Sequence, residues 1–570
     1  MMDSKKYNKK EVLQELDKAH QDIARLVNFA GRQRKALADM VAGLGDSGES
    51  RRLKEILQKF PVLTSQFNEG NAVAFYTRDR DFTKANIWAD ATSDRTRDSL
   101  SNMKALRVLR TKEGSISDAL ELSYRIAKKE KSQNTAGLQF LEGRVKELHG
   151  AVPKIQGPIR RIDSLVEGRI VHLVKESRPN LSNGFTSRSH KNFLAEKASG
   201  LEPVVITEPG FPDNNPKTRT EFVDGILHVR LGMGSIDYSK VPADQFNQMF
   251  ADLAYEEIKK LRPQVIHASS GRRGFETALS GIALRAKTGI PLVYEVRSFF
   301  EANWTDDTRV EQSGEIFTQR MATEEYCMAV ADRVLTICES MKDELVSRGV
   351  PPKKIGIIPN AVDSEHFKPV DRNIELARKY GLLNVPTFGY VSNMDHYRES
   401  QETLIEALAI LGSRGRVAKC ILVGGGPRMD LLKELATERG VSDRVIFTGS
   451  VDHNEIDEYY SLIDLFVVPR IRERAATYVT PLKPFEAMAQ RKPVVTSDLP
   501  ALLEITDAPK RGLSYTAGDA ESLADRLESL FEDREAQERI AQAGYEWVIS
   551  ERTWKSNGDR YVQEFSKLGS

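Results

Sequence analysis

Near the C-terminus the segment TYVTPLKPFEAMAQRKPVVTSDLPALLEI, residues 477–505, holds the residues best suited to chemistry. Its loop and first helical turn supply four candidate ligand-binding residues: Thr480, Pro481, Leu482 and Lys483. A loop that enters a helix offers unpaired backbone N–H groups and the positive end of the helix dipole, which bind phosphate. Glu486, one turn inside the helix, can accept hydrogen bonds from the two hydroxyls of a ribose. The pattern suits a nucleotide diphosphate, although an ordinary loop–helix–strand unit also explains it.

The segments that resemble a known family occur in a fixed order along the chain. Six of them accompany residues 477–505: VYEVRSFFE, ADRVLTICESMKDEL, IGIIPNAVDSEHFKP, GYVSNMDHYRESQETLIEAL, ILVGGGPRMDLLKEL and ERTWKSNGDRY. Together these segments resemble the retaining glycosyltransferases of family 4, which have the GT-B fold. The resemblance covers roughly residue 169 to the C-terminus. It implies a nucleotide diphosphate sugar as donor, with UDP the more frequent base, and a glycan, glycolipid or protein as acceptor.

Length and composition set outer bounds on the architecture. A chain of 570 residues with 40% hydrophobic and 29% charged residues is typical of a soluble protein with about three domains. The net charge of +1 gives no argument for a nucleic-acid partner. Three cysteines, Cys327, Cys338 and Cys420, are too few and too scattered for a disulfide framework or a zinc site.

The expected location follows from the apolar runs. No run approaches the ~18–20 residues of a membrane span, and the N-terminus lacks the apolar core of a signal peptide. We therefore expect a cytoplasmic protein, with any membrane contact peripheral and at the inner face of the plasma membrane.

Residues 1–165 are predicted to form a helical, partly coiled-coil region. A seven-residue apolar repeat runs through Val12, Leu16, Ala19, Ile23, Leu26, Ala30, Leu37 and Met40. The pattern returns at Leu138, Leu141, Val145 and Leu148, before Pro153 and Pro158 interrupt it. Basic residues open the chain: Lys5, Lys6, Lys9 and Lys10. The region is expected to be a bundle that packs on the rest or forms a homo-oligomer; a docking module for an acceptor protein or a membrane is the alternative.

The remainder is predicted to be α/β, with two Rossmann-like, doubly wound domains that face a cleft. Residues 166–375 form the first of them, on the acceptor side, with strand-like runs RIVHLVKES, EPVVITEPGFP, ILHVRL, QVIHAS, LVYEVR and RVLTIC. Residues 376–545 form the second, nucleotide-sugar-binding domain, with the runs PTFGYVS, CILVGG, VIFTGS, LFVVPR and PVVTSD. In the resembling family a C-terminal helix, here within 546–570, crosses back to the first domain.

Two groups in the first α/β half are candidates for the acceptor side. Gly184 lies in the loop after the first strand, where the family brings backbone close to the acceptor and the transferred sugar. We expect glycine there because a side chain would collide or because φ must be positive; a simple turn is the alternative. Arg188 and His190, on the following helix, could contact an anionic acceptor.

Arg297 ends the strand LVYEVR, at the edge where open parallel sheets bind ligands. Many family members have a histidine at this position, beside the transferred sugar. Because this chain has Arg297 there, the chemistry of that histidine does not carry over. Glu295 lies on the same face of the strand, and a buried Arg–Glu pair is the alternative to a catalytic Arg297. Asn360 is interpreted as a structural turn residue between the domains.

In the second half the resemblance places the nucleotide sugar against several loops. The family has an Arg shortly after the strand FGYVS and a Lys about five residues later, and Tyr390 occupies the Arg position. Arg398 is our candidate for the missing cation, since a guanidinium pairs bidentately with phosphate oxygens; a solvated loop arginine is the alternative. Gly425 lies within a run of three glycines whose missing side chains are expected to open room for the base and its ribose, and Val451 is expected near the base.

The loop before Thr480 departs from the family. Family members commonly have, eight residues before the residue matching Glu486, a glutamate that contacts the donor sugar; here Tyr478 stands there, beside Thr477. Glu473 can compensate only if the loop folds back, and Lys483 adds a positive charge that can offset the missing Arg.

Three functions remain in competition at this point. The first is a metal-independent, retaining hexosyltransferase in which Arg297, Arg398 and Glu486 carry the chemistry, without a cofactor. The second, which Tyr478 and the long helical region motivate, is a catalytically weakened GT-B-like binding or scaffold subunit of a glycan-assembly complex. The third is a nucleotide-sugar epimerase, which the missing acid disfavours.

Overall fold

A computed structural model describes most of the chain beyond its N-terminal region. The described residues are 69–90, 98–131 and 136–568, apart from 238–239, 272, 306 and 453–454. The predicted heptad seam from Val12 to Met40 and the N-terminal lysines lie outside them. The chain divides between Leu138 and Gln139 into two compact units.

The described part of the first unit is helical, as predicted. It contains α1 (Glu69–Arg78), α2 (Phe82–Asp90), α3 (Leu100–Lys112) and α4 (Ile116–Glu130). Helix α3 begins after Ser99, whose side chain accepts a hydrogen bond from Asn102 N, and α4 buries Ile116 and Ile126. Helix α5 (Ala136–Leu148) runs across the unit boundary and ends before Pro153. Among the described residues, no helix combines the length and apolarity that crossing a membrane requires.

The first half of the second unit is built on an eight-stranded sheet. Its strands are β1 (Val166–Val174), β2 (Glu202–Thr207), β3 (Arg219–Val223), β4 (Ile226–Arg230), β5 (Pro263–Ser269), β6 (Leu292–Glu295), β7 (Arg333–Thr336) and β8 (Ile355–Ile357). Their order is β3-β4-β2-β1-β5-β6-β7-β8. All neighbouring pairs are parallel except β3–β4. The connecting helices are α6 (Gly184–Ala198), α7 (Ala243–Leu261), α8 (Glu276–Thr288), α9 (Gly314–Val330) and α10 (Glu339–Ser347).

A fully parallel six-stranded sheet forms the second half. Its strands are β9 (Thr387–Val391), β10 (Lys419–Val423), β11 (Val445–Phe447), β12 (Leu465–Val468), β13 (Val494–Ser497) and β14 (Leu513–Tyr515). The order β11-β10-β9-β12-β13-β14 reverses direction between β9 and β12, as in a Rossmann fold. The helices are α11 (Ile374–Lys379), α12 (Gln401–Ser413), α13 (Met429–Glu438), α14 (Ile456–Ser461), α15 (Arg474–Tyr478), α16 (Lys483–Ala489), α17 (Pro500–Thr506), α18 (Ala520–Glu532), α19 (Arg534–Glu551) and α20 (Trp554–Ser566).

The two predicted Rossmann-like halves are confirmed, and every predicted strand-like run contains a strand. Sequence reasoning missed three short strands, β3, β8 and β14. The signal for β3 was present, because the dipeptide Asp224-Gly225 joins it to β4 with φ values of 49° and 75°, which is typical of a tight hairpin turn.

The last helix packs against the first sheet. Tyr561 and Phe565 of α20 lie among apolar side chains of that sheet, including Ile170 and Val293. Asn557 donates to Asn192 Oδ1 and to the carbonyl of Pro359, both at 3.0 Å. Residues 139–165, which the sequence assigns to the helical region, fall within this second unit.

We predict that His228 makes the first half sensitive to acid. The ring is fully buried in β4, and burial lowers its pKa from 6.5 to about 4. Because the unfolded chain takes up this proton first as the pH falls, acidification from pH 7 to 5 favours unfolding by ~2 kcal/mol through this group. The stability that neutral His228 contributes at pH 7 is therefore lost as the pH falls from the unfolded-state pKa of 6.5 toward the folded-state pKa of about 4.

His228→Asn removes the titration and keeps an amide near the carbonyl of Ile226, which lies 3.0 Å from Nδ1. Between pH 7 and 5 the variant should lose ~2 kcal/mol less stability than the wild-type protein, as measured by urea unfolding at both pH values. Equal losses in the two proteins would contradict the prediction.

Candidate functional site

The candidate residues of the second half lie where its sheet changes direction. Ligands of open parallel sheets bind at the carboxyl ends of the strands, next to such a reversal. Arg398 follows β9, and Lys483 and Glu486 follow β12 on α16. Gly425 and Val451 lie in the loops after the neighbouring strands β10 and β11. The structure therefore brings the predicted nucleotide-sugar residues of this half to one edge.

Glu486 is held by a buried tyrosine. The hydroxyl of Tyr460, a fully buried residue of α14, donates to Glu486 Oε2 at 2.7 Å. Glu486 itself is half-buried, and its second carboxylate oxygen has no protein hydrogen bond among the described residues. Tyr460 thus orients the carboxylate of Glu486, whose other oxygen remains available to accept a hydrogen bond from a ligand.

Lys483 is a half-buried cation that makes no close polar contact in the described part of the chain. Its ammonium group makes no hydrogen bond there and no ion pair within 4.0 Å, although its charge acts on Glu399 at longer range. It lies one turn before Glu486, on the same face of α16. Since α16 has only seven residues, the side chain of Lys483 is a better candidate for binding an anion than the helix dipole.

The loop that precedes α16 is anchored to the first half. Asn360 donates through Nδ2 to the carbonyl of Thr480 at 2.7 Å, and Thr480 is buried. Pro481 is buried as well, whereas Leu482 is half-buried. The interpretation of Asn360 as a residue between the halves is supported, and Thr480 has already committed its carbonyl to the protein.

Arg398 lies on the 3₁₀ turn Tyr397–Glu399 and faces a carboxylate of the next loop. Its Nη1 atom is buried, has no hydrogen-bond partner among the described residues and lies 4.0 Å from Glu473 Oε2. The side chain of Glu473 caps α15 by accepting a hydrogen bond from Ala476 N at 3.0 Å. Glu473 therefore faces Arg398 from the start of α15, and Arg398 keeps an unsatisfied donor within the described residues.

A second arginine is fully occupied at the same edge. Arg470 donates to Glu399 through Nε at 3.2 Å and Nη2 at 2.8 Å, and to the carbonyl of Val479 through Nη1. The hydroxyl of Tyr390 donates to the same carboxylate. Burial would raise the pKa of Glu399, but the charges of Arg470 and then Lys483 lower it to about 2. Glu399 and Arg470 form a buried ion pair, and the charge of Lys483 also acts on Glu399.

A hydrogen bond between Tyr397 and Glu311 also joins the two halves. The hydroxyl of Tyr397 donates to both carboxylate oxygens of Glu311, at 3.0 and 2.9 Å. Trp304 Nε1 donates to the backbone carbonyl of Glu311 at 2.8 Å. Burial raises the pKa of Glu311. Sequence reasoning missed Glu311 and Tyr460, because neither belongs to a recognisable motif.

Arg297 is enclosed in a buried ion cluster of the first half. It donates to Glu295 Oε2 at 2.9 Å and to the hydroxyls of Ser189 and Ser269, both at 2.6 Å. Burial would raise the pKa of Glu295, but Arg297 and Arg188 hold it well below the usual range. The buried Arg–Glu pair, the alternative to a catalytic Arg297, is therefore present. Arg297 still lines a small cavity of about 110 Å³.

Arg188 and His190 are committed to the protein as well. Arg188 donates to Glu295 Oε1, Asn360 Oδ1 and the carbonyls of Ile358 and Pro359. His190 Nε2 lies 2.7 Å from Asp224 Oδ2. Neither terminal nitrogen of Arg188 remains for an anionic acceptor, contrary to that suggestion.

The predicted reasons for two glycines need correction. Gly184 is the first residue of α6, its φ is not positive, and a Cβ there would meet no atom within 4 Å. Collision and backbone strain therefore do not explain it. The run that contains Gly425 does not leave open room: a Cβ on Gly424 would lie 2.1 Å from the carbonyl of Ser392, and one on Gly425 2.6 Å from Ser450 Oγ.

Tyr478 faces the first half. Its ring meets Phe299 edge-on at 5.7 Å between centroids, and the guanidinium of Arg474 lies over it at 5.9 Å. Its carbonyl accepts a hydrogen bond from Cys338 Sγ at 3.0 Å. The residue at the position of the missing acid thus packs between the halves.

One His/Glu group of the first half has the spacing of metal ligands and escaped the sequence analysis. His172, Glu196 and His267 are buried, and their ligand atoms lie within 4.8 Å of one another. His172 Nε2 lies 2.8 Å from Glu196 Oε2, a hydrogen bond that ties β1 to α6. Arg297 and Arg188 already place two positive charges close by, so a divalent cation would be costly there.

Comparisons with known proteins agree with this architecture. Residues 374–547 match the family model Glycosyl transferases group 1, and residues 195–366 match Glycosyltransferase Family 4. A GDP-mannose-dependent alpha-(1-6)-phosphatidylinositol monomannoside mannosyltransferase of Mycobacterium tuberculosis is 30% identical over 226 residues, 39% of this chain and 58% of that protein. An alpha-D-kanosaminyltransferase of Streptomyces kanamyceticus is 26% identical over 55% of this chain and 80% of its own.

Solved structures share the fold. A sucrose-phosphate synthase of Thermosynechococcus elongatus superposes with a TM-score of 0.57 at 21% identity, over 70% of this chain and 99% of its own. The Anabaena protein HepE, in complex with UDP, superposes with a TM-score of 0.54 at 17% identity, over 70% of this chain and all of its own. The chain spans little more than half the length of the mannosyltransferase relative.

We predict that Glu399 and Arg470 are strongly coupled. Arg470→Gln should destabilise the protein by ~3–5 kcal/mol, because it leaves a buried carboxylate without its main counter-charge. Adding Glu399→Gln should recover more than half of that loss, as measured by urea unfolding. Additive effects of the two substitutions would contradict the coupling. The exposed pair Arg534–Glu538 is the matched control and should show coupling below ~1 kcal/mol.

Proposed function

Because the chain belongs to the family 4 glycosyltransferases of the GT-B fold, we propose that it moves a sugar from a nucleotide diphosphate sugar to a glycan, glycolipid or protein acceptor. Two neighbouring groups carry the proposal: the ammonium of Lys483, which makes no close polar contact among the described residues, and the carboxylate of Glu486, which Tyr460 orients. Both lie where the order of the second sheet reverses. The cation suits a diphosphate and the carboxylate suits the hydroxyls of a ribose.

The site supports a mechanism that depends on electrostatics. When the bond between the sugar C1 and the diphosphate oxygen breaks, negative charge develops on the diphosphate. Lys483 and the unsatisfied Nη1 of Arg398 are the side chains available to stabilise that charge. The acceptor hydroxyl then bonds to C1 and its proton can pass to the departing diphosphate. We propose that transfer retains the anomeric configuration and needs no metal ion or cofactor.

Contacts between the halves support exclusion of water from such a reaction. Tyr397 bonds to Glu311, and Asn360 bonds to the loop at Thr480, so the halves are in contact through two residues of the candidate site's loops. Closed sites of this kind limit hydrolysis of an activated donor. Arg297 is proposed to act by positioning, through the serines that it holds beside the small cavity.

The nucleotide of the donor is proposed to be UDP, with GDP as the alternative. UDP remains our expectation, and the HepE complex with UDP is consistent with it. The name of the mannosyltransferase relative makes GDP the alternative. We further propose that the protein acts in the cytoplasm, peripherally at the membrane if its acceptor is a lipid, and that its N-terminal helices mediate self-association.

A scaffold role is the second candidate, and Tyr478 favours it. The family's sugar-contacting acid is replaced by a ring that packs on Phe299, which leaves Glu473 as the acid beside Arg398. Binding of a nucleotide sugar without turnover, with every acceptor class tried, would support this alternative.

We predict that one nucleotide diphosphate stabilises the protein against heat without added metal. UDP, GDP, ADP, CMP and their common sugar conjugates are compared; at ~100 times its Kd a ligand adds about 2.7 kcal/mol of stability. Glu486→Ala should weaken that binding by ~10²-fold, and Lys483→Met by ~10-fold, because each removes a charged hydrogen-bonding group.

The control is Glu434→Ala, on the exposed face of α13, which should bind as the wild-type protein does. Tyr460→Phe should give a smaller loss than Glu486→Ala, since it frees the carboxylate without removing it. Unchanged nucleotide affinity in Glu486→Ala would show that the site lies elsewhere.

We also predict that turnover persists in excess EDTA and that the product keeps the anomeric configuration of the donor sugar. The coupling constant of the anomeric proton in the product's NMR spectrum reports the configuration. An inverted product would refute retention, and loss of activity restored by a divalent cation would refute metal independence.

A further inference from the structure

The second half has a large open cavity at the edge opposite the candidate site. It has a volume of about 610 Å³ and lies at the amino ends of β9, β12 and β13. Since these strands are parallel, that edge is separated from Lys483 and Glu486 by the length of the sheet. The side chains that matter for its charge are Arg372, Asp464, Arg491, Lys492, Arg534 and Glu538.

Two of these cations are neutralised by neighbouring acids. Arg372 Nη1 donates to Asp464 Oδ1 at 2.8 Å, and the other oxygen of Asp464 accepts from Thr387 N at 2.8 Å. Arg534 Nε lies 3.0 Å from Glu538 Oε1. Asp464 and Glu538 are therefore each paired with an arginine, and Arg491 and Lys492 are left without a paired acid among the described residues.

Lys492 is a half-buried cation that makes no close contact with a carboxylate in the described part of the chain. Its Nζ donates to the carbonyl of Ser461 at 3.3 Å, and within the described ranges no acidic oxygen lies within 4.0 Å of it. Burial lowers the pKa of Lys492 to about 8, with Asp464 opposing and Arg372 adding to the shift. An anion in the cavity would supply the counter-charge that the protein withholds.

Arg491 presents a second unpaired charge at an unusual backbone position. It follows α16 with a φ of 55°, a left-handed conformation that glycine adopts with less strain. Its guanidinium stacks on Tyr545 at 4.5 Å from the ring centroid, and no described acidic oxygen lies within 4.0 Å. Stacking fixes the plane of the guanidinium and leaves its N–H groups available for an anion.

We propose that this cavity binds a small molecule that carries a phosphate group, with the phosphate between Arg491 and Lys492. The wall also contains apolar side chains, Phe531, Ile463 and Pro386, and the amides of Asn384 and Gln537. Apolar surface with a few amides suits the uncharged body of such a ligand. The site is independent of the proposed transfer reaction, since it shares no residue with the site around Glu486.

Site-resolved labelling of lysines in the full-length wild-type protein tests the proposal. Acetic anhydride acetylates neutral amines, and mass spectrometry gives the rate at each lysine with inorganic phosphate, pyrophosphate or sodium chloride at equal ionic strength. We expect phosphate or pyrophosphate to slow acetylation of Lys492 at least ~5-fold and to leave the exposed Lys433 of α13 unchanged. Absence of protection at Lys492 overturns the proposal.

Variants separate this site from the proposed donor site, which also suits pyrophosphate. Arg491→Gln should abolish the protection of Lys492, whereas Lys483→Met should preserve it. Pyrophosphate should also raise the melting temperature of Lys483→Met. It should raise that of Lys492→Met less, because we expect this substitution to weaken pyrophosphate binding ~10-fold. Protection that survives Arg491→Gln overturns the assignment. If Lys492→Met does not fold, the labelling of the wild-type protein and of Arg491→Gln still decides.

Discussion

The buried carboxylate of Glu295 is the point on which the arrangement of the two halves depends. It lies at the end of β6 between the guanidinium groups of Arg188 and Arg297. Arg188 also holds the carbonyls of Ile358 and Pro359 and the side chain of Asn360, which in turn holds Thr480. One cluster therefore fixes helix α6, the segment between the halves and the loop that introduces Lys483. Removing one partner of such a cluster typically costs ~3–5 kcal/mol, because it leaves an uncompensated charge in the core.

The second half contains a similar buried ion pair, between Glu399 and Arg470. Both carboxylates lie near strand ends and keep pKa values below the usual range despite burial, because guanidinium groups face them. The Glu399–Arg470 pair is neutral, whereas Glu295 with its two arginines keeps one net positive charge. Among the described residues, Lys483 makes no hydrogen bond, and one nitrogen of Arg398 is left without an acceptor. Charges held in place before a ligand arrives need no reorganisation when it reacts, which is the basis of electrostatic catalysis.

The sequence was sufficient for eleven of the fourteen strands but not for the partners of the charged residues. Apolar runs such as QVIHAS and CILVGG mark buried parallel strands, whereas β3, exposed and polar, lacks that signal. Glu486 was found because it belongs to a local motif; Tyr460 and Glu311 come from other elements and only tertiary structure brings them near. For Arg297 the local pattern left two alternatives, and the choice depended on Arg188, Ser189 and Ser269. The glycines show the same limit, since what a missing side chain would meet is decided by distant backbone.

In the loop between Arg470 and Thr480, other contacts occupy the position of the family's acid. Helix α15 uses Arg474 to bind Glu301 and Glu344 of the first half, and Tyr478 to pack on Phe299. A carboxylate in place of Tyr478 would face the same apolar ring, and the nearby cation Arg474 is already paired with Glu301 and Glu344. The acid that remains, Glu473, is displaced to the start of the helix and faces Arg398. Recognition of the donor sugar in this chain would therefore depend on a carboxylate that approaches from the other end of α15.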